Sequence, residues 1–256
     1  MNWAKEVALR IINERPNEEV YTVASGVSPS GFVHIGNFRE IATHYLVAKE
    51  LKKLGKEVRY ILSFDDFDRF RKVPAGIDSS YEKYIGMPYT KIPSPFMENM
   101  SYAEYMENRF IEELKRMDVE VECIYQTKEY ESRRYNKYIK HAVDNRDKIL
   151  DIIDEFRTQT TTKEEKENYY PISIYCKSCN KDSTKILSYD KNTGEILYSC
   201  DCGHKDKINI NTATNIKLQW KVDWHMRWMI EKVTFEAGGM DHSASNSVSY
   251  THLIHL

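Results

Sequence analysis

The sequence predicts an α/β fold built on parallel βαβ units and interrupted by a smaller α+β segment that carries paired cysteines. Three observations predict it. Residues 20–64 read as strand, glycine-containing loop, helix and second strand. Four of the five cysteines fall between Cys176 and Cys202, on a stretch with hairpin character. Beyond them a tryptophan-bearing helical pattern leads into another short apolar run, Val233-Thr-Phe, as a returning βαβ fold requires.

The 256 residues can bury a substantial core, as one large domain or two modest ones. With 37 basic and 39 acidic residues the net charge of −2 supplies no global drive toward nucleic acid, so any RNA contact comes from a local patch. The opening Met1-Asn-Trp-Ala-Lys-Glu-Val has no apolar signal core. Nor does any run approach the roughly 18 apolar residues of a membrane span. The expectation is a cytoplasmic protein with no membrane partner, in which clustered cysteines point to metal rather than disulfides.

Ala4–Glu14 places Val7, Ala8, Ile11 and Ile12 at helical spacing, and Pro16 ends that pattern. Val20–Ala24 suits a buried strand, and Phe38, Ile41, Ala42, Tyr45 and Leu46 recur on a helix. Between them lies Gly26-Val-Ser-Pro-Ser-Gly31-Phe-Val-His34-Ile-Gly36-Asn37. A strand turning through glycines into a helix aims backbone N–H groups and the positive helix end at one spot, where a polyphosphate can sit. The spacing is neither a Walker loop nor G-x-G-x-x-G. Leu54-Gly55-Lys56 stops the helix, and Val58–Phe64 forms the second strand of a right-handed parallel unit.

Asp65, Asp66 and Asp68 follow that strand directly. Ligands of open parallel sheets bind beyond the carboxyl ends of the strands, so these acids are expected beside the His34 loop. The competing reading is a turn in which an aspartate caps the next helix. Ala75–Pro95 reads as loop and domain boundary, and Ser101–Glu104 as a capping box ahead of a helix with Met106, Phe110, Leu114 and Met117. Val119–Tyr125 then reads as a strand, and Thr127–Phe156 as two further helices.

Cys176-x-x-Cys179 is followed, after twenty residues with a turn at Asn192-Thr-Gly194, by Cys200-x-Cys202-Gly203-His204. Paired knuckles supply a zinc tetrahedron with two ligands from each side. Cys176, Cys179 and Cys200 are three of them, and either Cys202 or His204 completes the set. Such a closed site is structural, stabilising the local fold by on the order of 10 kcal/mol. Three of the four tryptophans, Trp220, Trp224 and Trp228, are spaced by four. Trp224 and Trp228 read as a packing stripe, with Trp220 ahead of a helix that starts near Asp223. Val233–His242 reads as a strand ending in a glycine turn tipped by Asp241 and His242.

The run from Ala24 to Glu40, A-S-G-V-S-P-S-G-F-V-H-I-G-N-F-R-E, resembles the His-Ile-Gly-His signature of class I aminoacyl-tRNA synthetases, with Asn37 in its fourth place. It is specifically similar to the archaeal-type class I lysyl-tRNA synthetases. So are D-D-F-D-R-F-R-K-V-P at 65–74, K-L-Q-W-K-V-D-W-H-M-R-W at 217–228 and the G-x-D-H element ending at His242. Gln219 and His225 depart from the family pattern, His225 standing where a helix-starting proline is common. Some members carry a metal near Ser94–Tyr105; this chain has Ser94-Pro-Phe-Met-Glu-Asn-Met100 there, so none is expected.

The resemblance implies a Rossmann-like nucleotide-binding domain in two parts, 1–93 and 214–245, around an insertion at 94–213 whose zinc ribbon spans 170–210. It implies ligation of lysine to tRNA(Lys) using ATP and Mg2+, with structural Zn2+ and no DNA partner. Ser30, His34, Gly36 and Asn37 would bind ATP, His34 and Asn37 taking part in catalysis. Gly26, Ser28, Asp65, Asp66, Trp220 and His242 would bind lysine. The likeness runs from Met1 to about Ser245, leaving 246–256 as a tail and no Lys-Met-Ser-Lys-Ser loop, so the expectation is an amino-terminal fragment of little activity. Two other readings stay open: another class I synthetase or nucleotidyltransferase, such as a glutamyl-type enzyme, and a zinc-ribbon RNA-binding module without catalysis.

Overall fold

The structure, a computed structural model, describes residues 2–155 and 161–238. Helix α1 (Trp3–Glu14) starts at Asn2, whose side chain accepts from the Lys5 N–H at 2.8 Å. Strand β1 (Tyr21–Val27), helix α2 (Ile35–Lys53) and strand β2 (Val58–Phe64) form the expected unit, the strands parallel in unbroken register from Tyr21 opposite Val58 to Val27 opposite Phe64. Strand β3 (Glu122–Tyr125) extends the sheet beyond β2, and a later strand (Val233–Phe235) extends it beyond β1, both parallel. Covered strands of this kind carry near-continuous apolar runs, and Tyr21, Val23, Leu62 and Phe64 are all buried here. Ala8 and Ile11 of α1 and Ile41, Val47 and Leu51 of α2 pack on them.

After the short 3-10 turns Ser79–Tyr84 and Tyr89–Lys91, helix α3 (Tyr102–Arg116) opens with the expected capping box, Ser101 and Glu104 exchanging bonds of 3.2 and 2.7 Å. Its Phe110 and Leu114 join the sheet core. Helices α4 (Gln126–Glu131), α5 (Asn136–Asp144), α6 (Arg146–Asp154) and α7 (Lys163–Asn168) lead to an antiparallel pair, β4 (Ile172–Ile174) with β8 (Ile216–Leu218). Between these two, β5 (Thr184–Asp190), β6 (Glu195–Cys200) and β7 (Lys205–Asn209) form a three-stranded antiparallel ribbon. Helix α8 (Trp220–Glu231) then returns the chain to the parallel sheet through β9, the Val233–Phe235 strand, giving the order β3-β2-β1-β9. A second core joins ribbon to helices: Tyr198 and Ile208 pack with Ile139, Ile149, Val222 and Met226.

Five local expectations need correction. The buried face of α2 runs through Ile41, His44, Val47, Ala48 and Leu51, leaving Leu46 exposed, because polar His44 is inside. Its Nδ1 donates to the Glu40 carbonyl at 2.8 Å and its Nε2 accepts the Ala237 N–H at 2.7 Å, so one neutral tautomer satisfies both. Strand β3 begins at Glu122 rather than Val119. Three helices occupy the 126–154 stretch instead of two, since Arg133 takes a left-handed turn at φ 67. Helix α8 starts at Trp220, not near Asp223, because the Gln219 carbonyl already accepts from the Val222 and Asp223 N–H groups at 2.9 Å. His225 therefore sits within the helix and buried, its Nδ1 donating to the Lys221 carbonyl at 2.6 Å, and plays no part at the helix entry.

Candidate active site

A cleft of about 450 Å³ opens over the parallel sheet beneath α8. Its floor is Ala24, Ser25 and Gly26 of β1 with Ile61 and Ser63 of β2; its walls include Asp65, Trp220, Trp224 and Trp228. That is the carboxyl side of adjacent parallel strands, where open α/β sheets bind ligands. One wall is a partly buried ionic network. Arg227 donates to Asp65 at 2.6 Å and also to Asp223; Lys217 lies 3.2 Å from Asp223 and 2.9 Å from Asp68; Tyr130 donates to Asp223 at 2.5 Å. Burial pushes the Asp223 carboxyl up, yet Arg227 and Lys217 together outweigh it and hold the group below the ordinary carboxylate range. Asp65 is raised, burial prevailing over Arg227.

A second wall is aromatic. Trp220, Trp224 and Trp228 follow one another on α8 with ring centroids 6.1 and 5.7 Å apart. The Trp224 indole donates to Glu236 at 2.9 Å and the Trp228 indole donates to the same carboxylate. These two tryptophans are thus a wall of the cleft rather than the packing stripe expected. Burial, only partly offset by the two indole N–H groups, raises the Glu236 carboxyl above its ordinary range.

At the neighbouring loop, His34 is the N-cap of α2. Its Nδ1 accepts the Gly36 N–H at 3.1 Å, and the His34 N–H donates to Asn37 Oδ1 at 3.4 Å. With Nδ1 used as acceptor, the neutral ring carries its proton on the exposed Nε2, ready to donate outward beside the positive end of the helix. A Cβ on Gly36 would stand 2.8 Å from the His34 ring, so only glycine leaves the ring in this pose without a shift. The loop is tied to α3 by Tyr102, whose hydroxyl donates to the Ser30 carbonyl at 3.2 Å.

A family model described as tRNA synthetases class I (K) matches residues 1–255. The chain belongs to this class I synthetase family. Curated relatives agree. The chain is 41% identical over 244 residues to "Lysine--tRNA ligase" of Treponema pallidum, covering 94% of this chain and 46% of that protein. It is 38% identical over 247 residues to the protein of that name from Pyrococcus horikoshii (96% and 47%), and 37% over 246 to the one from Methanocaldococcus jannaschii (96% and 45%). The chain thus spans about half the length of the curated relatives it matches. The family match also reaches past Ser245 into the residues read as a tail, which lie outside the described ones.

Within this family fold, Gly26, Asp65 and Trp220 of the expected residues line the cleft. Ser28, Ser30, His34, Gly36 and Asn37 lie on the loop and helix start beyond it. His242 falls outside the described residues. Asp66 is buried, is not among the residues lining the cleft and accepts the Thr127 N–H at 2.7 Å in the first turn of α4, as the competing reading of a helix-capping aspartate expects. Burial pushes its carboxyl up to about 6. Sequence reasoning missed Glu236, Arg227, Lys217 and Asp223. The last three belong to the string carrying the resemblance, but pairing of residues 65, 217, 223 and 227 exists only in three dimensions.

The ribbon brings its cysteines together. The sulfurs of Cys176, Cys179, Cys200 and Cys202 lie within 4.8 Å of one another, with Cys176–Cys202 at 3.8 Å and Cys179–Cys200 at 3.6 Å. A tetrahedron with zinc–sulfur bonds of about 2.3 Å has edges of about 3.8 Å, so the donor set fits. Left-handed turns at Asn180 (φ 58) and Gly203 (φ 87) close the two knuckles. The Ser178 N–H donates to the Cys176 sulfur at 3.4 Å, while the His204 N–H holds the Cys202 thiol down at about 7 and thus nearer the thiolate a metal requires. Of the two fourth-ligand candidates, Cys202 joins the cluster.

Proposed function

We propose that this chain carries the lysine- and ATP-binding half of a cytoplasmic class I lysyl-tRNA synthetase. The observation that carries the reading is the cleft itself: acids and a tryptophan wall at the carboxyl ends of β1 and β2, next to a loop that starts a long helix with a His34 cap. In the reaction the lysine carboxylate attacks the ATP α-phosphorus, pyrophosphate leaves, and a ribose hydroxyl of tRNA(Lys) then takes the lysyl group as AMP departs. The His34 Nε2–H and the N–H groups at the start of α2 donate to the phosphates as charge develops. Mg2+ arriving with ATP neutralises polyphosphate charge. The Trp220 face packs on the lysine side chain, and an indole under a desolvated ammonium contributes about 2 kcal/mol. Cys176, Cys179, Cys200 and Cys202 would hold Zn2+ in a closed, structural site that steadies the ribbon.

Titration of non-hydrolysable aminoacyl-adenylate analogues into the purified chain tests the reading. Lysyl analogue is expected to bind tightly and glutamyl analogue weakly; equal binding of both, or of neither by the folded chain, refutes it. In a chain completed to the full length of its relatives, His34→Ala is expected to lower lysine-dependent ATP–pyrophosphate exchange by on the order of 10² to 10³.

A further inference from the structure

Six carboxylates line the cleft, Glu40, Asp65, Asp68, Asp223, Glu231 and Glu236. Four of them are ion-paired to built-in cations. Asp65 has Arg227, Asp68 has Lys217, and Asp223 has both. Glu231 is clamped between Arg59 and Arg134, each at 2.7 Å. Glu40 is exposed at the rim and has a partner of its own. Glu236 differs. Among the described residues its hydrogen-bond partners are two neutral donors, the indoles of Trp224 and Trp228, and no ion pair joins it to a described residue.

Neutral donors satisfy the hydrogen-bonding capacity of a carboxylate without cancelling its charge, and a charge out of water is stabilised mainly by a counter-ion. A carboxylate has about four acceptor positions, of which the indoles use two. Arg227 attracts Glu236 from a distance and Asp65 repels it, so the group remains short of positive charge. The Trp224 and Trp228 rings that hold it wall the same cavity. We infer that Glu236, oriented by Trp224 and Trp228, receives the ammonium of the amino-acid side chain and is the residue that selects lysine. The inference rests on the proposed function and deepens it. An anionic side chain meets repulsion at this point, and a neutral one of equal length leaves the carboxylate unpaired, so both are rejected.

The test uses Glu236→Gln, whose amide oxygen still accepts from an indole in nearly the same volume, with Glu14→Gln at the exposed end of α1 as a control outside the cleft. Dissociation constants are measured for lysyl- and norleucyl-sulfamoyl adenosine, which differ in the terminal charge, and near-UV circular dichroism checks that the tryptophan wall is retained. The parent chain and Glu14→Gln are expected to prefer the lysyl compound by about 100-fold, as for a desolvated charge pair. Glu236→Gln is expected to lose most of that preference through weaker lysyl binding, with norleucyl binding unchanged. A preference that survives Glu236→Gln, or that disappears in Glu14→Gln, overturns the inference alone. A parent chain that binds neither compound removes the proposed function and this inference with it.

Discussion

Arg227→Met is expected to destabilise the fold by about 3–5 kcal/mol at pH 7, the range for breaking a buried ion pair from one side. The network holds three carboxylates, Asp65, Asp68 and Asp223, against two cations, Lys217 and Arg227. Methionine fills most of the arginine volume, so the cost is electrostatic: three negative charges, that of Asp223 buried and those of Asp65 and Asp68 partly so, face one positive. Asp223 keeps Lys217 at 3.2 Å and the Tyr130 hydroxyl at 2.5 Å, whereas Asp65 loses the guanidinium 2.6 Å away. Asp65 is already raised by burial, and Arg227 is the largest influence pulling it back. Without Arg227 its folded-state pKa rises further above the unfolded value. Between those two values the folded chain holds a proton that the unfolded chain releases, so the variant gains stability as pH falls. The gap to the parent is therefore wider at pH 7 than at pH 5. Urea unfolding at both pH values, followed by far-UV circular dichroism, measures it. A cost below about 1 kcal/mol, or a gap equal at the two pH values, refutes the account of α8 as tied to β2 by charge.

Glu107, buried on α3 with one carboxyl oxygen unpartnered, is pushed up to about 8 by burial and by nearby Asp66. The folded chain thus retains a proton there that the unfolded chain has lost above about pH 4.3, so stability falls as pH rises toward 8 and then levels off. Glu107→Gln is expected to add a few kcal/mol at pH 9 and almost nothing at pH 4, read from denaturant midpoints; a benefit independent of pH counts against it. Removing metal with a chelator is expected to release one zinc per chain and to strip amide protection from the 172–210 ribbon, with smaller loss in β1 and β2. Hydrogen exchange reads the pattern, and a ribbon as protected without metal as with it rules out a structural zinc.

Much of the α/β frame was legible because its signals are local. Alternating glycine, proline and apolar runs mark α2 and the bounds of β2, and place β1 with its end three residues short, while the Ser101–Glu104 box marks the start of α3. The cysteine spacing is equally local, since a knuckle is closed by neighbours. The start of α8 was misplaced because Asp223 resembles a cap in sequence, yet its carboxylate is used by Arg227, Lys217 and Tyr130. For Asp66 the sequence left two readings, because Asp65, Asp66 and Asp68 look alike in the chain, and its bond to the Thr127 N–H in the first turn of α4 appears only in three dimensions.

The sequence by itself determined the family, the parallel βαβ unit, the His34 loop and the four-cysteine ribbon, all encoded over short separations where periodicity, turn chemistry and ligand spacing suffice. Tertiary structure alone decided which carboxylates are ion-paired. Residues 65, 68, 217, 223 and 227 meet from the end of β2, from β8 and from α8. Glu236 is left facing indoles from the helix before it. Charge compensation depends on distances of a few ångströms between segments more than a hundred residues apart, and no local pattern in the chain records them.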